Sequence, residues 1–129
     1  MERNVLGGPL EVCGTDPVTG FYRDGCCRTG PGDFASHTIC AVVTADFLDY
    51  QQSVGNDLST PLPEYEFPGL QPGERWCVTT HAWLRAHAQG VAAFVVLSAT
   101  HERALEAVPL DVLKEYAVDV PADPGSISA

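Results

Sequence analysis

Two cysteines stand side by side, Cys26 and Cys27, between Arg23 and Arg28, in a loop that also holds Gly25, Gly30 and Gly32. Cysteine chemistry needs a thiolate, and nearby guanidinium groups favour one. Backbone N–H groups of a glycine-rich loop can add an anion-binding nest. Asp24 and Asp33 partly oppose this. Adjacent cysteines can bond to each other only through a strained ring. In an extended segment neighbouring side chains point to opposite faces. The pair therefore reads as one sulfur facing a site and one packed in the core, which of the two being open, or as two small buried hydrophobes.

Three more cysteines, Cys13, Cys40 and Cys77, extend the set. Zinc takes four Cys or His ligands. The spacing holds no C-x-x-C, so a metal site depends on Cys13, Cys26 or Cys27, Cys40 and Cys77 converging as the N-terminal loops fold over a sheet. A transition metal such as zinc is the cofactor that this set could take. The competing reading of Cys40 and Cys77 is plain burial in β core.

The four histidines separate by position. His81 and His87 share a helix but stand about 120° apart around it, too far to chelate one ion. His81 reads as solvated and His87 as packed beside Trp83. His37 opens a strand next to the glycine loop. His101 follows a buried strand at the start of a helix, where ligands gather in α/β arrangements; capping or packing is its other reading. Asn56, Asp57, Ser59 and Thr60 could hydrogen-bond a polar ligand, or simply form turns before Pro61. A Ser59–His101–Asp57 triad lacks a nucleophile elbow, so a hydrolase is discounted.

The elements that must position these groups begin after a turn-dense first third, in which "TDPVTG" is a turn and "TGFYR" a short strand. "HTICAVV" has the length and branching of a strand. Thr44 caps a helix over "ADFLDYQQSV", stopped by Gly55. Residues 55–74 form a long irregular crossing, of the kind that often carries function. "RWCVT" is the next strand, and Thr80 caps "HAWLRAHAQ". "AFVVLSA" is a buried strand, Thr100 caps a helix over "HERALEAV", and "LDVLKEYAV" is the last helix. The tail from Val120 is loose. This order predicts one α+β domain, a two-layer sandwich with a small, mainly three-stranded sheet and three to four helices; a three-layer α/β sheet is the alternative.

The chain has 129 residues, with 7 basic against 17 acidic, a net charge of −10. That field repels phosphate backbones and anionic membranes, so neither nucleic acid nor a membrane is expected as partner. A small molecule, a metal or a protein remains. The N-terminus has no apolar signal region and no run approaches the ~20 residues that span a bilayer, which predicts a cytoplasmic protein. In that compartment cysteines are expected as thiols, ligands or transient redox groups and not as static disulfides.

The words "NVLGGPLEVC", "TDPVTGFYRDGCC", "GNDLSTP", "FPGL", "RWC" and "ATHE", in this order, resemble an uncharacterised family of bacteria and photosynthetic eukaryotes, domain of unknown function 2237. The resemblance runs from about Asn4 to Asp119. It implies a two-layer α+β fold and no particular activity. Its pattern falls on Cys13, Asp16, Tyr22, Arg23, Cys26, Cys27, Cys40, Asp57, Ser59, Thr60, Trp76, Cys77 and His101.

Two functions follow. The first is a thiol-centred site for a metal, a small anion or redox chemistry, built from Cys26 or Cys27 with Cys13, Cys40, Cys77, His101 and His37. Arg23 sets its charge, and Asp16, Tyr22, Asp57, Ser59 and Thr60 support it. The second is a non-catalytic binding domain with structural cysteines that uses the 55–74 loop.

Overall fold

Three short antiparallel strands form one sheet in the order β2–β1–β3: β1 is Ile39–Val42, β2 Arg75–Val78 and β3 Phe94–Val95. The structure is a computed structural model and describes residues 2–119; the tail expected to be loose lies outside the described residues. In register, Cys40 pairs with Cys77 and Ala41 with Trp76. Successive side chains alternate between faces of a strand. Ile39 and Ala41 accordingly join the main core with Phe47, Trp83 and Leu113, while Cys40 joins a second buried cluster with Cys13, Cys27 and Cys77. Burial of both faces explains why "HTICAVV" reads as a continuous apolar run rather than an alternating one.

Helix α1, Ala45–Ser53, starts where expected, because the Thr44 hydroxyl accepts from the Phe47 N–H. It buries Phe47, Leu48 and Gln51. Helix α2, Thr80–Ala88, is capped one residue earlier than expected: Thr79, not Thr80, accepts from the Ala82 N–H. Its Trp83 is fully buried and donates from Nε1 to the Ala93 carbonyl. Burying such a ring contributes about 2–3 kcal/mol. His87 stacks on Trp83 with centroids 5.3 Å apart, the packing role expected of it, and His81 is exposed.

Three expected elements differ. "TGFYR" is a turn and not a strand, since Gly20 and Arg23 both take positive φ and the Arg23 N–H bonds back to the Gly20 carbonyl. The strand "AFVVLSA" ends after two residues, because the Asp119 carboxylate draws in the N–H groups of Leu97 and Ser98 and the chain coils into a 3-10 turn, Leu97–Ala99. "HERALEAV" is a 3-10 segment, Glu102–Glu106, capped by His101 instead of Thr100. The Thr100 hydroxyl is committed elsewhere: it accepts from the Cys40 N–H and donates to the Val96 carbonyl. Helix α3, Leu110–Glu115, closes the described chain. The result is a small α+β fold, as expected. No helix among the described residues is long and apolar enough to cross a membrane.

Candidate functional site

The cysteines converge over the sheet face opposite α1 and α2. Cys40 and Cys77 stand opposite each other on β1 and β2, and the N-terminal loops bring Cys13 and Cys27 down onto them. Cys13 is bonded to Cys40 and Cys27 to Cys77, with Cα separations of 5.7 and 5.3 Å. This corrects the expectation, drawn from compartment, that these cysteines are not static disulfides. Four sulfurs brought this close by register and loop course are within bonding reach whatever the surrounding redox poise. Hydrogen bonds fix the frame around them. The Cys77 N–H donates to the Thr19 hydroxyl at 2.8 Å, and the Cys13 N–H to the Gly25 carbonyl at 2.8 Å.

Of the adjacent pair, Cys27 is the fully buried member and Cys26 the free, part-exposed one. The arginines do not activate Cys26. Burial pushes its thiol pKa up, the Asp24 carboxylate pushes it further, and Arg28 only partly offsets them. Arg28 is held by Asp24 at 2.9 Å. Arg23 turns away to lie over the Trp76 ring, 5.0 Å from its centroid, while donating to the Gly20 carbonyl. Gly20 is required at that bend: its φ is +103°, and a Cβ there would run into the Cys26 carbonyl oxygen. Cys26 is therefore held as a protonated thiol more firmly than an exposed cysteine.

Beside the edge strand β2 lies a cleft of about 800 Å³, within the range of small-molecule sites. Its first wall is the N-terminal loop, with Pro17, Val18, Phe21, Arg23 and His37. Its second wall is the 55–74 crossing, with Asp57, Leu58, Leu62, Tyr65, Glu66 and Phe67, and Trp76 lies between the two. The basic groups stand on one wall and the acidic groups on the other.

His37 is held by a residue that the sequence did not single out as its partner. Its Nδ1 lies 2.6 Å from Oδ1 of Asp33, and its backbone N–H donates to Oδ2 at 2.9 Å. Thr29 also donates to Oδ2. Asp33 is 1 % exposed. Burial alone would raise its carboxyl pKa, but the bonds from the His37 ring and backbone, the His37 charge and the Thr29 hydroxyl outweigh it and hold the carboxyl below its ordinary value. An ionised carboxylate only accepts, so Nδ1 carries a proton and donates it to Asp33. No hydroxyl or thiol among the described residues bonds His37.

The "NDLSTP" words form the turn that was one of their two readings. Asp57 accepts from the Ser59 and Thr60 N–H groups and from the Thr60 hydroxyl, which hold its carboxyl below its ordinary value. Asp57 lines the cleft while Ser59 and Thr60 serve its turn. His101 lies elsewhere: Nδ1 accepts from the Arg103 N–H and Nε2 meets the Glu2 carboxylate, under the N-terminal strap that bridges Asn4 to His101. Ser59, His101 and Asp57 do not assemble. Asp16, in a cis bond to Pro17, and Tyr22, under Arg28, are exposed next to the cleft wall without lining it. The aromatic lining of Phe21, Tyr65, Phe67 and Trp76 was missed as a group, since its members come from three separate segments.

A family model described as "Uncharacterized protein conserved in bacteria (DUF2237)" matches residues 3–117. No curated protein matches the chain.

Proposed function

The chain belongs to this uncharacterised family, and from that premise and the geometry of the cleft we propose that it is a small-molecule-binding domain with structural cysteines. The observation that carries this is the charge division of an aromatic-lined cleft: Arg23 and His37 on the loop wall, Asp57 and Glu66 on the crossing wall. A zwitterion with a flat apolar body matches that division, the chemistry of an aromatic amino acid or a peptide end. Its carboxylate would pair with the Arg23 guanidinium, its ammonium with the acidic wall, and its body with Trp76 and Phe21. The absence of a hydroxyl or thiol bonded to His37 among the described residues favours binding over hydrolysis. The test is titration of the full chain with L-phenylalanine, its N-acetyl form and its amide, followed by Trp76 emission. The zwitterion should bind, each capped form should bind about tenfold or more weakly, and Arg23→Gln should lose the preference for a free carboxylate. Equal binding of all three, or none, overturns the assignment.

The second reading, a thiol-centred site for redox or metal chemistry, is supported by the gathering of Cys13, Cys27, Cys40 and Cys77 in one buried cluster. Nothing in the surroundings of Cys26 supports its small-anion form. The count of thiols freed by a dithiol reductant in the folded chain tests it: four beyond Cys26 support it, and none removes it.

A further inference from the structure

We propose that the same four cysteines, once reduced, are a tetrathiolate zinc site, so that zinc and the two disulfides are alternative occupants of one cluster. This rests on the thiol-centred reading and gives it a ligand set and a metal. The key observation is that the two disulfides are not independent staples. The sulfurs of Cys13, Cys27 and Cys77, which belong to both of them, lie within 4.8 Å of one another, and Cys40 is bonded to the first. A tetrahedral zinc with bonds of about 2.3 Å needs sulfurs about 3.8 Å apart. Cys40 stands outside that group of three, so its sulfur, once freed from Cys13, must swing in to complete the set. Two ligands would come from paired strands, which hold them in register, and two from loops that can adjust.

Three of the four cysteines are also anchored independently of the sulfur–sulfur bonds. Thr19 anchors the backbone of Cys77, Thr100 that of Cys40, and Gly25 that of Cys13, all by hydrogen bonds that reduction leaves intact. The four cysteines are at most 2 % exposed and pack with Val96 and Ala99, an apolar shell that keeps water from competing for the metal. Thiolate ligands select zinc over magnesium or calcium.

The chemistry balances. Each disulfide accepts two electrons and two protons from a dithiol, which leaves as a disulfide, and yields two thiols. One Zn²⁺ then displaces four protons from the four thiols. Oxidation by a disulfide reverses both steps and expels the zinc. Cys26 takes no part: it is free and lies outside the buried cluster.

The experiment uses the full chain, reduced anaerobically with a phosphine and given one equivalent of zinc. Native mass spectrometry should show one zinc per chain, and alkylation should then label Cys26 alone. Cobalt(II) in place of zinc should give the visible absorption and sulfur charge-transfer bands of a tetrahedral thiolate site. Cys40→Ser and Cys77→Ser should each lose the four-sulfur spectrum, and Cys26→Ser should keep it. If reduction unfolds the chain, zinc should restore its circular dichroism at one equivalent. Five thiols reacting alike in the presence of zinc, with no metal retained and no refolding, overturns the zinc site alone. Disulfides that resist reduction in the folded chain overturn it together with the thiol-centred reading.

Discussion

The ring of His37 is fixed by a carboxylate that the fold has removed from water: Nδ1 of His37 meets Oδ1 of Asp33 at 2.6 Å, and Asp33 is buried while His37 lines the cleft. Asp33 is thus a positioning residue for the cleft. It also joins the loop of residues 29–37 to the segment after β3, since Arg103 donates to the Asp33 carbonyl and to the Thr29 hydroxyl.

Replacement of Asp33 by Asn should cost about 1–3 kcal/mol, because a buried acceptor of three hydrogen bonds is replaced by a group that cannot accept them all. The pH dependence has a definite sign. A carboxyl held below its ordinary value in the folded chain stabilises the fold fully above about pH 4, and that contribution is lost as the pH falls through the lowered value. Urea unfolding of both chains between pH 2 and 6 checks this. The natural chain should lose stability over Asp33→Asn only in the acid limb, and a constant gap down to the lowest pH would contradict the assignment.

The two disulfides should differ in what their removal costs. Cys13–Cys40 closes a separation of 27 residues and Cys27–Cys77 one of 50. Chain-entropy arguments give about 3.5 and about 4 kcal/mol respectively. The Cys27→Ala/Cys77→Ala chain should therefore melt below the Cys13→Ala/Cys40→Ala chain, and more so because Cys27 holds the loop that carries Arg23 over Trp76. Thermal melts of the two double variants check the order, and the reverse order would place the larger constraint on Cys13.

What was legible in the sequence was local. Thr44 with a following apolar run specifies α1, and the branched runs around Ile39 and Val78 specify β1 and β2, because caps and strand composition act over a few residues. The N-terminal third was opaque for the opposite reason. Its backbone is satisfied at long range, Val5 by Thr100 and Glu11 by Ser98, and no spacing rule announces such bonds. Four cysteines could be expected to meet if those loops crossed the sheet, but the choice of partners is set by which loop lands on which strand, Cys13 on Cys40 and Cys27 on Cys77. Asp33 and His37, four residues apart, gave no signal because that spacing means contact on a helix, and here it is a turn closed by the Ser36 N–H on the Asp33 carbonyl.

Cys26 should behave as an unreactive thiol despite its two arginine neighbours. With burial and Asp24 raising its pKa and Arg28 already paired to that carboxylate, its alkylation midpoint should lie above that of an ordinary exposed cysteine. Asp24→Asn should move that midpoint down, since it removes the repelling charge and frees Arg28. The pH profile of single-thiol labelling in the non-reduced chain measures both. A midpoint near neutrality in the natural chain would restore the reactive-thiol reading of the loop.

Gly69 should be the residue through which the 55–74 crossing is most easily broken. Its φ is +80°, and a Cβ there would meet the Ser59 carbonyl oxygen. Ser59 and Thr60 supply the N–H groups that hold Asp57, and the Leu70 N–H closes the same limb on the Leu58 carbonyl at 2.8 Å. An alanine must therefore push the Asp57 turn away from the cleft as well as bear the left-handed backbone penalty. Gly73 separates the two effects, because its φ is +94° but a Cβ there meets nothing within 4 Å. Gly73→Ala should lose about 1 kcal/mol, the backbone cost alone, and leave phenylalanine binding unchanged. Gly69→Ala should lose about 2–3 kcal/mol and weaken that binding, since it displaces the acidic wall. Urea unfolding and the phenylalanine titration, run on both variants, check the pair. Equal losses of stability with equal binding would mean that the Asp57 turn is not what the glycine protects.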